Sequence, residues 1–276
     1  MALGLITISA WLLAVAAAPD CAPIEGSTAI LDDPAIDYVV FGETHGTTES
    51  PALFSDLVCA AAARGPVMVA LEIQLADEPV FATWLASNGD AAARAALLRA
   101  GLWNDKMKDG RSSVAMLALA ERLRRMFEAK QILGVVGTLD PAAYDPNDQT
   151  PHDRAIAANW MRARAAHPGA RVLALVGSAH AVAGRVDFGG GHGFMSAASF
   201  LPREHAATLG PADAGGLAWV CQSMDDCGPH PAGTGSQAWP RSIRLSPEGR
   251  VGPLHWDYRY APGGAFTAAA PAKPVP

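Results

Sequence analysis

The sequence lacks the short motifs of several common enzyme classes. It contains no HExxH zinc-protease helix, no GxGxxG dinucleotide-binding turn, no P-loop and no G-x-S-x-G nucleophile elbow. Ser178 lies two residues from His180, but this spacing on a tight turn is not evidence of a nucleophile pair. The absences argue against a kinase, a dehydrogenase and a hydrolase built on a serine elbow.

Charged residues are also scarce, at 17% of the chain, and the net charge is -6. No basic run is present, so neither nucleic acid nor an anionic surface is indicated as a partner. Half of the 276 residues are hydrophobic. A chain of this length and composition is expected to be globular and to bury a full core.

Cysteine is limited to four residues, with no CxxC pair and no Cys/His zinc spacing. In an exported chain, the short separation of Cys221 and Cys227 favours a local disulfide. Cys21 and Cys59 are the remaining pair. Cys59 lies in a helical pattern, so the alternative for it is a buried free thiol.

Residues 1–18 resemble a signal peptide. Leu5 to Ala18 are uncharged and apolar, and small residues around Ala17 suit a signal peptidase. We therefore expect a periplasmic or secreted protein whose mature form has no membrane span. The first residues contain no Lys or Arg, and the alternative is an uncleaved anchor, for which the apolar run is short.

Short β-branched runs alternate with helical patterns over most of the chain. We expect strands over 37–42, 66–71, 131–137 and 171–176, and helices over 51–63, 76–87, 90–100, from Ser112 or Ser113, and 152–166. Ser50 is predicted as the N-cap of the first of these helices, with Pro51 at its first position. The alternation predicts an α/β fold: a mostly parallel sheet with flanking helices, and a looser C-terminal part.

Four segments follow from this pattern. They are a signal peptide (1–18), an α/β domain (36–200), a C-terminal extension packed on the core (201–260), and a disordered Pro/Ala tail (261–276).

The first and fourth predicted strands end in the same way. Each is followed by Gly, two residues and His, which gives His45 and His180. Glu43 lies in the first of these turns, and Glu72 and Asp140 follow the second and third strands. The carboxyl ends of parallel strands share one rim, so these groups are expected at a single acid–base or metal site. Asp140 by itself is typical of a turn or a helix cap.

Several other polar residues have two interpretations. Arg111 follows an Asp-Gly turn and either reaches the rim, to hold a carboxylate or an oxyanion, or is a surface arginine. Glu49 suits the start of a helix, and Asp153 suits a cap. Arg154 opposes the helix dipole and so points to another partner. The other histidines carry no motif: His152, His167, His192, His205, His230 and His255.

These motifs resemble the erythromycin esterase/ChaN/Tiki superfamily, which includes ChaN-like haem-uptake proteins and TraB-type proteins. The resemblance rests on Gly42-Glu-Thr-His-Gly46 with Glu49, on Glu72, and on Gly177-Ser-Ala-His180. The helix around Arg154 is similar to an Arg-Asp-x-x-Met-Ala-x-Asn helix of several members, with the order of Arg and Asp changed. The likeness covers residues 36–200.

The resemblance implies an α/β core with its site at the strand carboxyl ends. Erythromycin esterases use a histidine base and glutamates to activate water. The corresponding expectation is a hydrolase of an ester, lactone or peptide, with His45 as base, Glu43 or Glu72 orienting it, and His180 and Arg111 stabilising the oxyanion. In a metal-dependent variant, as in Tiki-type proteases, His45, Glu72 and His180 hold a divalent metal.

Two further hypotheses belong to other classes. ChaN-like kinship implies a haem- or metal-binding uptake protein without catalysis, in which His or Tyr is the axial ligand of haem. Trp103, Met107 and Tyr144 would then form apolar walls. The last hypothesis is a domain whose site has decayed. The expected partner for catalysis is a small-molecule or peptide substrate.

Overall fold

The structure is a computed structural model that describes residues 21–104, 109–189, 193–223, 226–246 and 254–273. Its helices are α1 (Thr28–Leu31), α2 (Glu49–Ala62), α3 (Glu78–Leu85), α4 (Ala91–Leu97), α5 (Val114–Glu128) and α6 (Thr150–Ala166). Its strands are β1 (Tyr38–Glu43), β2 (Val67–Gln74), β3 (Gly134–Leu139), β4 (Arg171–Gly177), β5 (Arg185–Val186), β6 (Phe194–Met195), β7 (Ala206–Pro211), β8 (Leu217–Ser223), β9 (Asp226–Pro231), β10 (Ser242–Leu245) and β11 (Tyr258–Ala261).

Seven of these strands form one sheet, in the order β10-β11-β7-β1-β4-β2-β3. Every neighbouring pair is parallel except the edge pair β10–β11. β5–β6 and β8–β9 form two separate antiparallel hairpins. The predicted α/β class, with a mostly parallel sheet and a looser C-terminal part, is confirmed.

The sheet is covered on both faces, which explains why its central strands are apolar without alternation. All six residues of β1 are buried. Val39 and Phe41 belong to the core that contains residues of α2, α3 and α5, whereas Val40 packs with α6, including the fully buried Trp160. Chemistry is therefore confined to the ends of these strands.

The start of α2 differs from the prediction. The helix begins at Glu49 with Thr48 in the cap position, so the predicted cap at Ser50 is wrong. The Ser50 hydroxyl accepts a hydrogen bond from the Thr47 hydroxyl (2.8 Å) and lies 3.0 Å from the Tyr260 hydroxyl. Ser50 therefore belongs to a buried network of hydroxyl groups and does not cap the helix. By contrast, α5 is capped by one of its two predicted candidates, Ser113, which accepts from the amide of Met116 (3.3 Å).

The C-terminal third is more closely integrated than expected. β7 pairs directly with β1, so the central sheet continues past the predicted domain boundary at residue 200. The tail predicted to be disordered (261–276) is packed over 261–273, where Phe266 and Ala269 are buried. Composition misses this packing because small Ala and Pro residues approach other loops closely, and their main-chain groups find partners there.

Both cysteine pairs form disulfides, Cys21–Cys59 and Cys221–Cys227, so Cys59 is not a free thiol. Among the described residues, no helix has the length and apolar character needed to cross a bilayer. The predicted signal peptide (1–18) lies outside the described residues.

Candidate active site

An imidazole–carboxylate pair lies at the end of the first strand. Glu43 is the last residue of β1 and is buried, and His45 follows in the turn before α2. The Nδ1–H of His45 donates to Oε1 of Glu43 over 2.8 Å, and the His45 side chain is 24% exposed. This bond fixes the ring orientation and leaves Nε2 as the working nitrogen.

Glu72, on β2, lies between the two predicted halves of the site. Its Oε2 accepts from the amide of Gly177 (2.7 Å) and lies 3.7 Å from Nε2 of His45. Its Oε1 accepts from Nη1 of Arg111 (3.1 Å). Burial alone would raise the pKa of Glu72, but the charges of His45, Arg111 and His180 and the Gly177 amide lower it to about 2. Glu72 is therefore a carboxylate at neutral pH.

The charge state of His45 follows from these neighbours. Burial lowers the pKa of the imidazole, but the Glu72 charge and the hydrogen bond and charge of Glu43 outweigh burial and the opposing Arg111, and raise the pKa to about 9. At neutral pH the resting ring is consequently an imidazolium. It becomes a base after losing a proton, which is a requirement that sequence alone does not reveal.

Arg111 reaches the rim, as one of its two interpretations required. Its Nε and Nη2 donate to Oδ2 of Asp109 (2.9 and 2.6 Å), so the guanidinium is held between Asp109 and Glu72. The turn before it depends on Gly110, which has a φ of +97°. A Cβ there would lie 2.3 Å from the amide nitrogen of Gly46, so only glycine permits this approach to the His45 turn.

The fourth strand delivers a second imidazole–carboxylate pair. His180 follows β4, and its Nδ1–H donates to Oδ1 of Asp153 on α6 over 2.9 Å. Asp153 is fully buried, and the same oxygen accepts from the amide of Ala197 (2.6 Å). Burial lowers the pKa of His180, but the Asp153 hydrogen bond and the Glu72 charge raise it on balance. Both histidines thus carry a carboxylate on Nδ1.

Sequence reasoning did not assign Asp153 to the site, because this residue was interpreted as a helix cap. The signal was present in the helix pattern Arg-Asp-x-x-Met-Ala-x-Asn. Without any change of order, its Asp falls on Asp153, its Arg on His152 and its Asn on Asn159. Arg154 does have another partner, since its guanidinium lies 4.9 Å from the Phe200 ring centre.

The remaining rim residues have structural roles. Asp140 accepts from the amide of Ala142 (2.9 Å), so its interpretation as a cap is confirmed, although it also lines the cleft. Glu49 lies in the first turn of α2 and accepts from the amide of Thr267 (2.9 Å).

A cleft of about 540 Å³ opens over these groups. Of the predicted site residues, His45, Glu72, Arg111 and His180 line it, while Glu43 supports His45 from behind. His152, which the sequence analysis left unassigned, also lines the cleft, and its ring centre is 5.9 Å from that of His180. Burial and the His180 charge lower the pKa of His152. The cleft therefore combines the cationic imidazole of His45 with His180, whose pKa is raised, and His152, whose pKa is lowered.

The geometry of the cleft fits neither the expected divalent metal ion nor the expected haem. Within the described parts of the chain, no three His, Cys, Asp or Glu side chains are grouped to hold a metal ion. Of the haem walls, Trp103 belongs to the buried core and is not among the residues that line the cleft, Tyr144 lines the cleft and is 62% exposed, and Met107 lies outside the described residues. A haem face needs apolar walls on both sides, which Trp103 and Tyr144 do not supply.

No family model matches the chain, and no curated protein matches it. Solved structures do match. An erythromycin esterase mutant in its open conformation is 10% identical with a TM-score of 0.63, over 90% of this chain and 94% of that one. The type III effector HopBA1 is 16% identical (TM-score 0.52, over 91% and 99% of the two chains), and a succinoglycan biosynthesis protein is 13% identical (0.54, over 74% and 72%). At these identities, the comparisons show that the chain is similar to these proteins in fold alone.

Proposed function

We propose that this protein is a hydrolase that uses the cleft between His45 and His180 to activate water against an ester, lactone or peptide. The observation that carries the proposal is the pair of imidazole–carboxylate couples whose histidines follow the adjacent strands β1 and β4, with Glu72 between them. Such couples fix ring orientation and proton position, which acid–base catalysis requires. The fold likeness to an erythromycin esterase supports the same class of reaction.

The reaction begins when His45 is neutral. Its Nε2 takes a proton from water as the water oxygen bonds to the carbonyl carbon, and the carbonyl π electrons move to oxygen. Arg111 and His180 stabilise that oxyanion. The bond to the leaving group then breaks, the carbonyl re-forms, and the His45 imidazolium returns the proton to the leaving oxygen or nitrogen.

The charge of His45 sets the pH dependence of this reaction. With a pKa of about 9, roughly one molecule in a hundred carries neutral His45 at pH 7. Turnover is consequently slow at neutral pH and rises toward pH 9. The charge of Glu72 is one cause of the raised His45 pKa, because it favours the imidazolium.

We also propose that the protein works outside the cytosol. The disulfides Cys21–Cys59 and Cys221–Cys227 support this proposal, because such bonds persist in oxidising compartments. Fractionation of cells expressing the full chain, with the N-terminus of the recovered protein sequenced, tests export and removal of residues 1–18 together. Recovery in the cytosolic fraction alone would contradict it.

The test of hydrolysis is a panel of activated esters, lactones and peptides with the wild type and His45→Asn. Loss of a general base lowers turnover by about 10²–10⁴-fold. His205→Asn is the matched control, because His205 is exposed and its Nδ1 bonds to the carbonyl of Ala35 (2.8 Å), away from the cleft. Equal turnover by wild type and His45→Asn would sink the proposal.

A further inference from the structure

The C-terminal segment passes between the two loops that carry the charged groups of the cleft. We name residues 266–272 the C-terminal clamp, residues 44–49 the His45 loop and residues 109–114 the Arg111 loop. These three segments lie far apart in sequence. Composition predicted disorder for the first, so its contacts need an explanation.

On one side, the clamp pairs with the His45 loop in a short antiparallel bridge between Thr47 and Ala268. The amide of Thr48 donates to the carbonyl of Thr267 (2.9 Å), and the amide of Ala269 donates to the carbonyl of Gly46 (2.7 Å). Glu49 adds a side-chain acceptor for the Thr267 amide at 2.9 Å. The His45 loop is therefore bonded to the clamp at two main-chain groups and one side chain.

On the other side, the clamp pairs with the Arg111 loop through a bridge between Ser113 and Pro271. The amide of Val114 donates to the carbonyl of Ala270 (2.8 Å), and the amide of Ala272 donates to the carbonyl of Ser112 (2.8 Å). Five consecutive clamp residues, 268–272, thus bridge or bond to both loops in turn. A single short segment is therefore the common partner of both loops.

The two loops also touch each other through glycine. Gly46 and Gly110 both have positive φ, and a Cβ on Gly110 would lie 2.4 Å from the Gly46 Cα. This contact has no side chain to lock it. The clamp, anchored by the buried Phe266 and Ala269, supplies main-chain hydrogen bonds at the same place.

We propose that the C-terminal clamp is a positioning element of the active site, which holds His45 and Arg111 in fixed relation on either side of Glu72. Nε2 of His45 and Nη1 of Arg111 lie 3.7 and 3.1 Å from separate oxygens of that carboxylate. Each distance depends on a loop that the clamp bonds. The consequence for turnover rests on the proposed hydrolase function, whereas the coupling of the two loops does not.

Amide hydrogen exchange on full-length variants tests the coupling. Glu49→Ala removes the acceptor for the Thr267 amide, and Glu49→Gln keeps an oxygen there and is the matched control. Ala269→Pro removes one of the two amides that donate to the Gly46 carbonyl, the other being that of Trp219 (2.9 Å). Ala265→Pro, at an exposed position before the clamp, is its control. Glu49→Ala and Ala269→Pro are expected to speed exchange about tenfold or more in both loops, while both controls behave like the wild type.

Acceleration confined to the His45 loop, with the Arg111 loop unchanged, would overturn the coupling. Glu49→Ala changes only a side chain at the start of α2, so it decides the matter if Ala269→Pro fails to fold. For positioning, the downfield proton that His45 shares with Glu43 should broaden, and kcat should fall about tenfold with KM little changed. If exchange rises in both loops while this proton and kcat keep their wild-type values, the positioning role is refuted. If no substrate is turned over by the wild type, the hydrolase proposal fails, while the exchange and proton measurements still test the clamp.

Discussion

The ion pair of His45 and Glu72 predicts that this protein loses stability as the pH rises above neutrality. The folded pKa of His45 is about 9, against 6.5 when it is free, so its contribution is complete below pH 6.5 and disappears as the pH rises to about 9. The folded pKa of Glu72 is lowered to about 2, so its contribution is complete above its ordinary value of 4.5 and is lost toward pH 2. Stability from the pair is therefore greatest between these two ordinary values.

The expected size follows from the same shift. At about 1.4 kcal/mol for each pH unit, a pKa that moves from 6.5 to about 9 corresponds to about 3 kcal/mol of unfolding free energy. The shift of Glu72 describes largely the same pair and is not added to it. Against a typical total of about 5–15 kcal/mol, this loss is measurable.

The assay is urea unfolding of the wild type and His45→Gln, without reductant, at about pH 5.5 and about pH 9.5. Gln keeps a polar side chain but does not titrate. His180, whose pKa is also raised, titrates in both proteins, so the comparison removes most of its effect. We expect the wild type to lose about 3 kcal/mol more than the variant over this interval. Equal losses would show that His45 is not a buried imidazolium, and the charge assignment would fail.

Three further predictions concern single groups of the cleft. The kcat/KM of the wild type should rise about tenfold per pH unit between pH 7 and about 9, and Glu72→Gln should move this limb to lower pH; a flat profile would contradict the assignment of His45 as base. Asp153→Asn should lower the pKa of His180, measured by NMR titration, and should lower the free energy of unfolding in urea by about 1–3 kcal/mol. An unchanged His180 titration would refute the pairing. Arg111→Lys should keep the positive charge but lose the forked set of guanidinium donors, so it should retain more turnover than Arg111→Ala. Arg111→Ala should lower turnover by about 10²–10³-fold. Equal turnover by the two variants would show that the charge contributes nothing.

The rim of the sheet was predictable because it depends on local patterns. Apolar runs marked the strands, and parallel strands place their carboxyl ends together, so His45, Glu72 and His180 could be assigned to one edge without coordinates. The charge of His45 could not be predicted, because it depends on the distances to two carboxylates and on burial. The contact of Asp153 with His180 was not predicted for a related reason, because it joins residues 27 positions apart. An acidic residue in the first turn of a helix already has a local explanation.

The C-terminal segment shows a second limit of sequence patterns. Disorder was expected over 261–276 because Ala, Pro and Gly offer little apolar surface to bury. In the structure, residues 261–273 are held mainly by main-chain hydrogen bonds. The composition of a segment carries no information about which loops offer it partners. The feature that looked least structured therefore borders both charged loops of the cleft.

The charge assignment makes one prediction that separates binding from catalysis. A phosphonate analogue of the tetrahedral intermediate carries a fixed negative charge, so it should bind best while His45 is an imidazolium beside Arg111 and His180. Its affinity should fall as the pH rises through about 9, the interval in which turnover rises. Calorimetry at several pH values would measure the affinity, and Arg111→Ala should weaken it throughout. If affinity and turnover rose together, the group that titrates would not be a histidine that must lose its charge to act as base.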